Sequence, residues 1–176
     1  MIVNMKKTYN SKSFLGTSIL GKIYKVNINY IKENKIEIKK LEKEITINLP
    51  KKYQKSEKNK EIIDDCIKEI YEEIARKELE NMMEFMRYIY GFAPEEFKIK
   101  RLENKYCMYI RNTLIINPDI IRFNKDIIYS TVIQAFCKIK YREGSNNYKK
   151  SIERGIKEYE KLKNTEEIEE KMKKVS

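Results

Sequence analysis

Few side chains of this chain could perform catalytic chemistry. None of its 176 residues is a histidine, which excludes histidine zinc ligands, histidine general bases and pairs of a nucleophile with a histidine. Its three cysteines, Cys66, Cys107 and Cys137, lie far apart and form no CxxC pair, so we interpret them as small buried apolar residues. Most carboxylates lie on one long helical segment or near the C-terminus, where a solvated face is the ordinary explanation. We therefore expect no cofactor.

One glycine-containing segment imitates a phosphate-binding loop. Residues 16–22 spell GTSILGK, which satisfies the GxxxxGK part of that motif. Ile23 follows where the motif needs a serine or threonine to bind magnesium. The residues beyond it alternate as in a strand, whereas a phosphate-binding loop leads into a helix. We therefore reject a nucleotide site at this position.

The spacing of apolar residues predicts an α+β fold that begins with a sheet. Three segments with alternating apolar residues lie within residues 22–50, and we interpret them as an N-terminal antiparallel sheet. We expect no regular structure in about the first twenty residues. Pro50 ends the last strand of this sheet.

We expect residues 56–163 to form the core of the fold. Ser56 is placed to cap a long helix that ends at Gly91, and a second antiparallel sheet follows between residues 97 and 116. Asn124 then caps a helix that Gly144 interrupts, and Ser145 caps the final helix. Residues 164–176 form a charged C-terminal tail. We expect one domain over residues 1–176.

The chain is basic, with a formal net charge of +11 and 37% charged residues. Basic residues dominate residues 1–60 and 97–142, and acidic residues dominate residues 61–96. This pattern makes an anionic partner, including nucleic acid, a candidate. A general compositional bias towards isoleucine, lysine, asparagine and glutamate would explain the same charge without any partner. No apolar run is long enough for a membrane span or a signal peptide, so we predict a cytoplasmic protein without membrane contact.

Two blocks of the chain resemble one protein family. The first, LIINPDIIRFNKDIIYSTVIQAFCKIKYREGSNNYKKSIERG, runs from Leu114 to Gly155, and the second, KELENMMEFMRYIYGFAPEEFKIKRLENKYCMYI, runs from Lys77 to Ile110. With the order of the elements, they resemble the YgjP-like zinc hydrolases, relatives of the SprT-type metallopeptidases. That family has an HExxH helix after a strand that ends in an asparagine, and a third histidine shortly beyond. The resemblance implies a zincin-like core.

Every catalytic position that the resemblance implies carries an unsuitable residue. The first zinc histidine corresponds to Gln134, the glutamate base to Ala135, the second histidine to Lys138 and the third to Gly144. A lysine ammonium repels a cation, and an alanine cannot deprotonate water. The resemblance therefore implies a degenerate member of the family, catalytically inactive, without a metal site.

We expect such a protein to bind a protein or other anionic partner through the former active-site cleft. The candidate contacts in that cleft are Lys138, Arg142 and Tyr148.

Two alternatives stay open from the sequence. The first is a hydrolase that still works and holds a metal through Asp126 and Glu143, an oxygen site that would suit magnesium better than zinc. The second is a nucleic-acid-binding module on the N-terminal sheet, with basic and aromatic side chains on one face. Its candidate residues are Lys22, Lys25, Lys39, Lys40, Tyr24 and Tyr30.

Overall fold

The computed structural model describes the backbone of residues 15–175 and the side chains of residues 16–165. The fold is α+β. Its strands are β1 (Leu15–Ile19), β2 (Lys22–Ile31), β3 (Glu37–Lys40), β4 (Glu44–Pro50), β5 (Glu96–Ile99), β6 (Cys107–Ile110) and β7 (Thr113–Ile116). Its α-helices are α1 (Asn59–Tyr90), α2 (Lys125–Cys137) and α3 (Asn146–Val175). Short 3-10 helices occur at Lys51–Tyr53 and Pro118–Arg122.

Both sheets are mixed, so the prediction of two antiparallel sheets is wrong. The first sheet has the order β1-β2-β4-β3 with β2 parallel to β4, and the second has the order β5-β7-β6 with β5 parallel to β7. In each case the later strand of a hairpin, β4 or β7, takes the central place. Two successive chain reversals then leave that strand parallel to the earlier strand beside it. Alternation reports which face of a strand is buried, but it does not report strand direction.

The β1–β2 hairpin overturns the expectation that residues 15–19 lack regular structure, while residues 1–14 lie outside the described part. Leu20 and Gly21 form its two-residue turn with φ of 51° and 76°, the conformation that tight hairpins require. The turn rests on the start of α2. The Leu20 amide donates to the Ile121 carbonyl at 2.7 Å. A Cβ at Gly21 would lie 2.7 Å from Cβ of Asn124.

The hydrophobic core lies between the first sheet, α1 and α2. The inward side chains of β4 are fully buried, and α1 packs a stripe of apolar residues against them. Buried residues from both sheets, α1 and α2 belong to the same cluster. Its fully buried members include Val26, Ile45, Ile47, Leu49, Leu79, Met86, Leu114, Ile116, Val132 and Phe136. None of the helices within the described residues is sufficiently long and apolar for a membrane crossing.

The predicted helix ends are confirmed at three positions and shifted at one. Asn124 accepts a hydrogen bond from the Ile127 amide at 2.9 Å, and Ser145 Oγ accepts one from the Tyr148 amide at 3.2 Å. Gly91 ends α1 in the left-handed conformation. Ser56 instead lies three residues before α1, in the preceding turn. The backbone of α3 continues to Val175, so residues 164–175 of the predicted tail extend this helix.

We predict that Gly21→Ala destabilises the protein by about 2–3 kcal/mol. A residue with a side chain is strained at φ 76°, and the added methyl group would also press on backbone that the α2 cap holds in place. Gly91→Ala is the matched control, because Gly91 has φ 69° and open space around its Cβ position. Gly91→Ala should lower the free energy of unfolding by about 1 kcal/mol, from backbone strain alone. Urea unfolding followed by circular dichroism measures both, and equal losses would contradict the steric contact.

Candidate functional site

Apolar packing buries one side of α2 in the core. Six of its residues are buried: Ile128, Val132, Ile133, Ala135, Phe136 and Cys137. The Phe136 ring stacks on Tyr90 and Phe92 with centroid distances of 5.6 Å and 5.4 Å. Contacts of this kind need no metal to form. The helix is therefore held in the core independently of any chemistry at its polar positions.

The four positions that the resemblance predicts as a degenerate zinc site fall at the C-terminal end of α2 and in the turn that follows. Gln134 is exposed, and Lys138 caps the helix one turn later, so both lie on one helix face. Ala135 points to the core and is 6% exposed. Gly144 has φ 80° and lies in the turn just before α3.

Polar contacts close the turn between α2 and α3. The Lys138 ammonium forms an ion pair with Glu143 Oε1 at 2.8 Å. The Tyr148 hydroxyl donates to the Gln134 carbonyl at 3.2 Å. The ion pair lies within the connecting turn, and the Tyr148 hydroxyl joins the last turn of α2 to the first turn of α3.

Tyr148 has an internal role in this turn. The residue is 7% exposed, and burial raises the pKa of its hydroxyl, while the nearby Lys138 ammonium opposes the rise. The hydroxyl therefore stays protonated and serves as a donor to Gln134. Of the three predicted cleft contacts, Lys138 and Arg142 are the ones that reach solvent, with 37% of the Lys138 side chain exposed and Arg142 classed as exposed.

The degenerate positions do not fit a zinc ion. Zinc sites in proteins use imidazole nitrogen, thiolate sulfur or carboxylate oxygen. Here the four positions carry an amide, a methyl group, an ammonium and a glycine without a side chain, and none of these is such a ligand. Among the described residues, no group of three or more histidine, cysteine, aspartate or glutamate side chains could hold a metal. The ammonium also places positive charge where a cation would have to bind.

The three cysteines are free thiols, and Cys66 and Cys137 are buried as predicted, whereas Cys107 is partly exposed. Burial raises the pKa of Cys66 and of Cys137, and it raises the pKa of Cys107 to about 12. All three thiols are thus protonated at neutral pH. A thiol in this state is a poor nucleophile and a poor metal ligand.

The oxygen site proposed for a still-active hydrolase is wrong, because its two carboxylates lie at opposite ends of α2. Asp126 begins the helix and Glu143 follows its end, so they are separated by roughly 17 Å along the axis at about 1.5 Å per residue. Asp126 is also engaged by Lys163 Nζ at 3.0 Å and by the Tyr159 hydroxyl at 2.9 Å. The lysine contact, the largest cause, lowers the pKa of Asp126.

The tyrosines predicted for a nucleic-acid surface lie on the inner face of the N-terminal sheet. Tyr24 is 8% exposed on the face that packs against α1, and the Asn59 amide donates to the Tyr30 hydroxyl at 2.6 Å. Lys25 lies on the opposite face, where it pairs with Glu44 at 3.6 Å. Lys40 shares the face of Tyr24, with its ammonium 5.6 Å from the centroid of that ring. Tyr24 is buried there, so its ring is not exposed for base stacking.

A buried asparagine has a structural role that the sequence indicated only in part. Asn117 is 5% exposed, and its amide donates to the carbonyls of Leu102 and Lys105 at 3.0 Å and 3.1 Å. Its side-chain oxygen accepts from the Asp119 amide at 3.0 Å. The Asn-Pro step after an apolar strand predicts the turn at Asp119. No local pattern predicts the contacts with residues 102 and 105.

We predict that Tyr148→Phe lowers the free energy of unfolding by about 1 kcal/mol, because it removes one partly buried hydrogen bond and keeps the ring. Tyr88→Phe is the matched control. Tyr88 is 90% exposed, and its change should cost less than about 0.5 kcal/mol. Urea unfolding measures both variants. If Tyr148→Phe leaves the free energy of unfolding unchanged, the hydroxyl does not tie α3 to α2.

Comparison with known proteins identifies the family of the chain. The model of the YgjP-like family, described as a YgjP-like metallopeptidase domain, matches residues 5–168. No curated protein and no solved structure matches the chain.

Proposed function

The chain belongs to the YgjP-like metallopeptidase family, and we propose that it is a catalytically inactive member that works by binding a partner. The observation that carries this proposal is the chemistry of the four degenerate positions. Its lineage is that of a metal-dependent hydrolase with an α+β fold of the zincin type. Its present role is to bind a partner through the surface of the former site, without catalysing hydrolysis.

Loss of activity follows from the two requirements of metal-assisted hydrolysis. A metal must lower the pKa of a bound water, and a base must accept the proton. Lys138 takes a ligand position with a positive charge, and Ala135 takes the base position with a methyl group. Neither side chain performs the role of the one it replaces.

The binding surface that we propose consists of the cations in the turn after α2. Lys138, Lys140 and Arg142 supply three positive charges, and Glu143 is the one carboxylate within residues 138–145. The ion pair with Glu143 and the hydroxyl of Tyr148 hold the turn in one conformation. A surface that is already ordered loses little conformational entropy when it binds. An acidic, extended segment of a partner protein suits this charge.

The free thiols support a place in the cytoplasm. Cys66, Cys107 and Cys137 are all unpaired, and reduced cysteines are usual in compartments kept reducing by thiols. We propose that the protein acts there on a protein partner.

A fluorescein-labelled acidic peptide of alternating glutamate and alanine tests the binding surface. At low salt the wild-type protein should bind it, and the double variant Lys138→Glu/Arg142→Glu should weaken binding at least about tenfold, because it reverses two charges at the contact. Fluorescence anisotropy measures the affinity. Binding should also weaken as salt rises.

The matched control is Lys32→Glu/Lys35→Glu, which makes the same change of charge in the exposed loop between β2 and β3. It should change the affinity by less than about threefold if only long-range charge is altered. Equal losses in the two double variants would sink the proposed surface. Tighter binding of a single-stranded oligonucleotide than of the peptide would favour the nucleic-acid alternative instead.

A further inference from the structure

A second basic site lies on α3, next to the end of α1. It is an open surface cavity of about 370 Å³ lined by Tyr141, Asn147, Lys150, Ser151 and Arg154. Two of these side chains are cations and three are neutral groups that form hydrogen bonds. The lining contains no carboxylate. Such a lining favours an anionic ligand over a cationic or apolar one.

The two cations of this cavity lie close together, and the carboxylate of Glu158 is one helix turn beyond Arg154. The pKa of Glu158 is lowered chiefly by the hydrogen bond from Lys161 and to a smaller extent by the charge of Arg154. Lys150 and Arg154 are four residues apart on one helix, so their Cβ atoms are about 6 Å from each other. Two like charges at this spacing destabilise a helix slightly. Among the side chains of residues 16–165, neither forms an ion pair with a carboxylate. A bound anion would relieve this repulsion.

Two hydrogen bonds to α1 hold the wall of the cavity in place. Arg154 Nη2 donates to the Ile89 carbonyl at 2.7 Å, and the Tyr90 hydroxyl donates to the Ser151 carbonyl at 2.7 Å. A guanidinium has five N–H donors, so the contact with Ile89 engages only part of Arg154. The arginine is thereby oriented before any ligand arrives.

We propose that this cavity binds a small phosphate monoester. An arginine with a planar fork of donors and a lysine ammonium are the side chains best suited to a phosphate dianion. Asn147, Ser151 and Tyr141 add neutral donors around it. The volume leaves room for a small organic group beside the phosphate, in the range of small-molecule sites. This site shares no cation with the surface formed by Lys138, Lys140 and Arg142.

Titration of the isotope-labelled protein with inorganic phosphate and with O-phosphoserine, at constant ionic strength, tests the proposal by nuclear magnetic resonance. The amides of Asn147 and Ser151 should shift in a saturable way, and O-phosphoserine should bind at least as tightly as phosphate. Lys150→Glu should weaken both by about tenfold or more, since it removes one charge-assisted hydrogen bond. The amide spectrum itself shows that each variant is folded.

Lys149→Glu is the matched control, because it makes the same charge change at a neighbouring exposed residue outside the lining. It should weaken binding by less than about threefold. Equal losses in the two variants, or no saturable shift with either ligand, would overturn the site. The variant Lys138→Glu/Arg142→Glu should bind phosphate as the wild type does. This result distinguishes the cavity from the surface in the proposed function. The proposal for that surface can fail while the proposal for the cavity holds.

Discussion

The burial of one face of α2 is the constraint on which the site depends. Val132 and Phe136 are fully buried, and the aromatic stack of Phe136 with Tyr90 and Phe92 ties the helix to the end of α1. Burial of side chains of this size stabilises a fold by about 1.5–3 kcal/mol each. A helix held in this way keeps its position when its polar residues change.

The charges at the C-terminal end of α2 then determine which ligands this site can bind. A cation cannot bind beside an ammonium without a compensating set of anionic ligands. The ammonium of Lys138 instead finds the carboxylate of Glu143, and a tyrosine hydroxyl completes the link between α2 and α3. An ion pair exposed to this degree contributes at most about 1 kcal/mol. It orders the turn, while the apolar core supplies the stability.

Local patterns predicted most of the elements and few of the contacts between them. Alternation and helical spacing located α1, α2 and most strands because burial of one face leaves a period in the sequence. They missed β1, in which Thr17 interrupts the apolar series of Leu15 and Ile19 and forms a hydrogen bond with the Tyr71 hydroxyl of α1 at 2.8 Å. They also missed the parallel pairs, which depend on the order of strands in space.

The candidate site was predictable as a segment but not as a geometry. Gln134 and Lys138 lie four residues apart, so a shared helix face follows from the sequence. The inward position of Tyr148 and the partner of Lys138 depend on how α3 packs. The basic cavity was not predicted, since Lys150 and Arg154 form a site only where α3 meets residues 89 and 90.

The most direct test of the account is the zinc affinity of the triple variant Gln134→His/Lys138→His/Gly144→His, measured by isothermal titration calorimetry. Histidine tolerates the left-handed conformation of residue 144 better than most residues, and open space surrounds its Cβ position. If these positions are the former metal site, the triple variant should bind one zinc ion at least about a hundredfold more tightly than Gln134→His/Lys138→His, because it adds a third ligand. The wild type should bind none stoichiometrically. A triple variant no better than the double, or stoichiometric zinc in the wild type, would contradict the account.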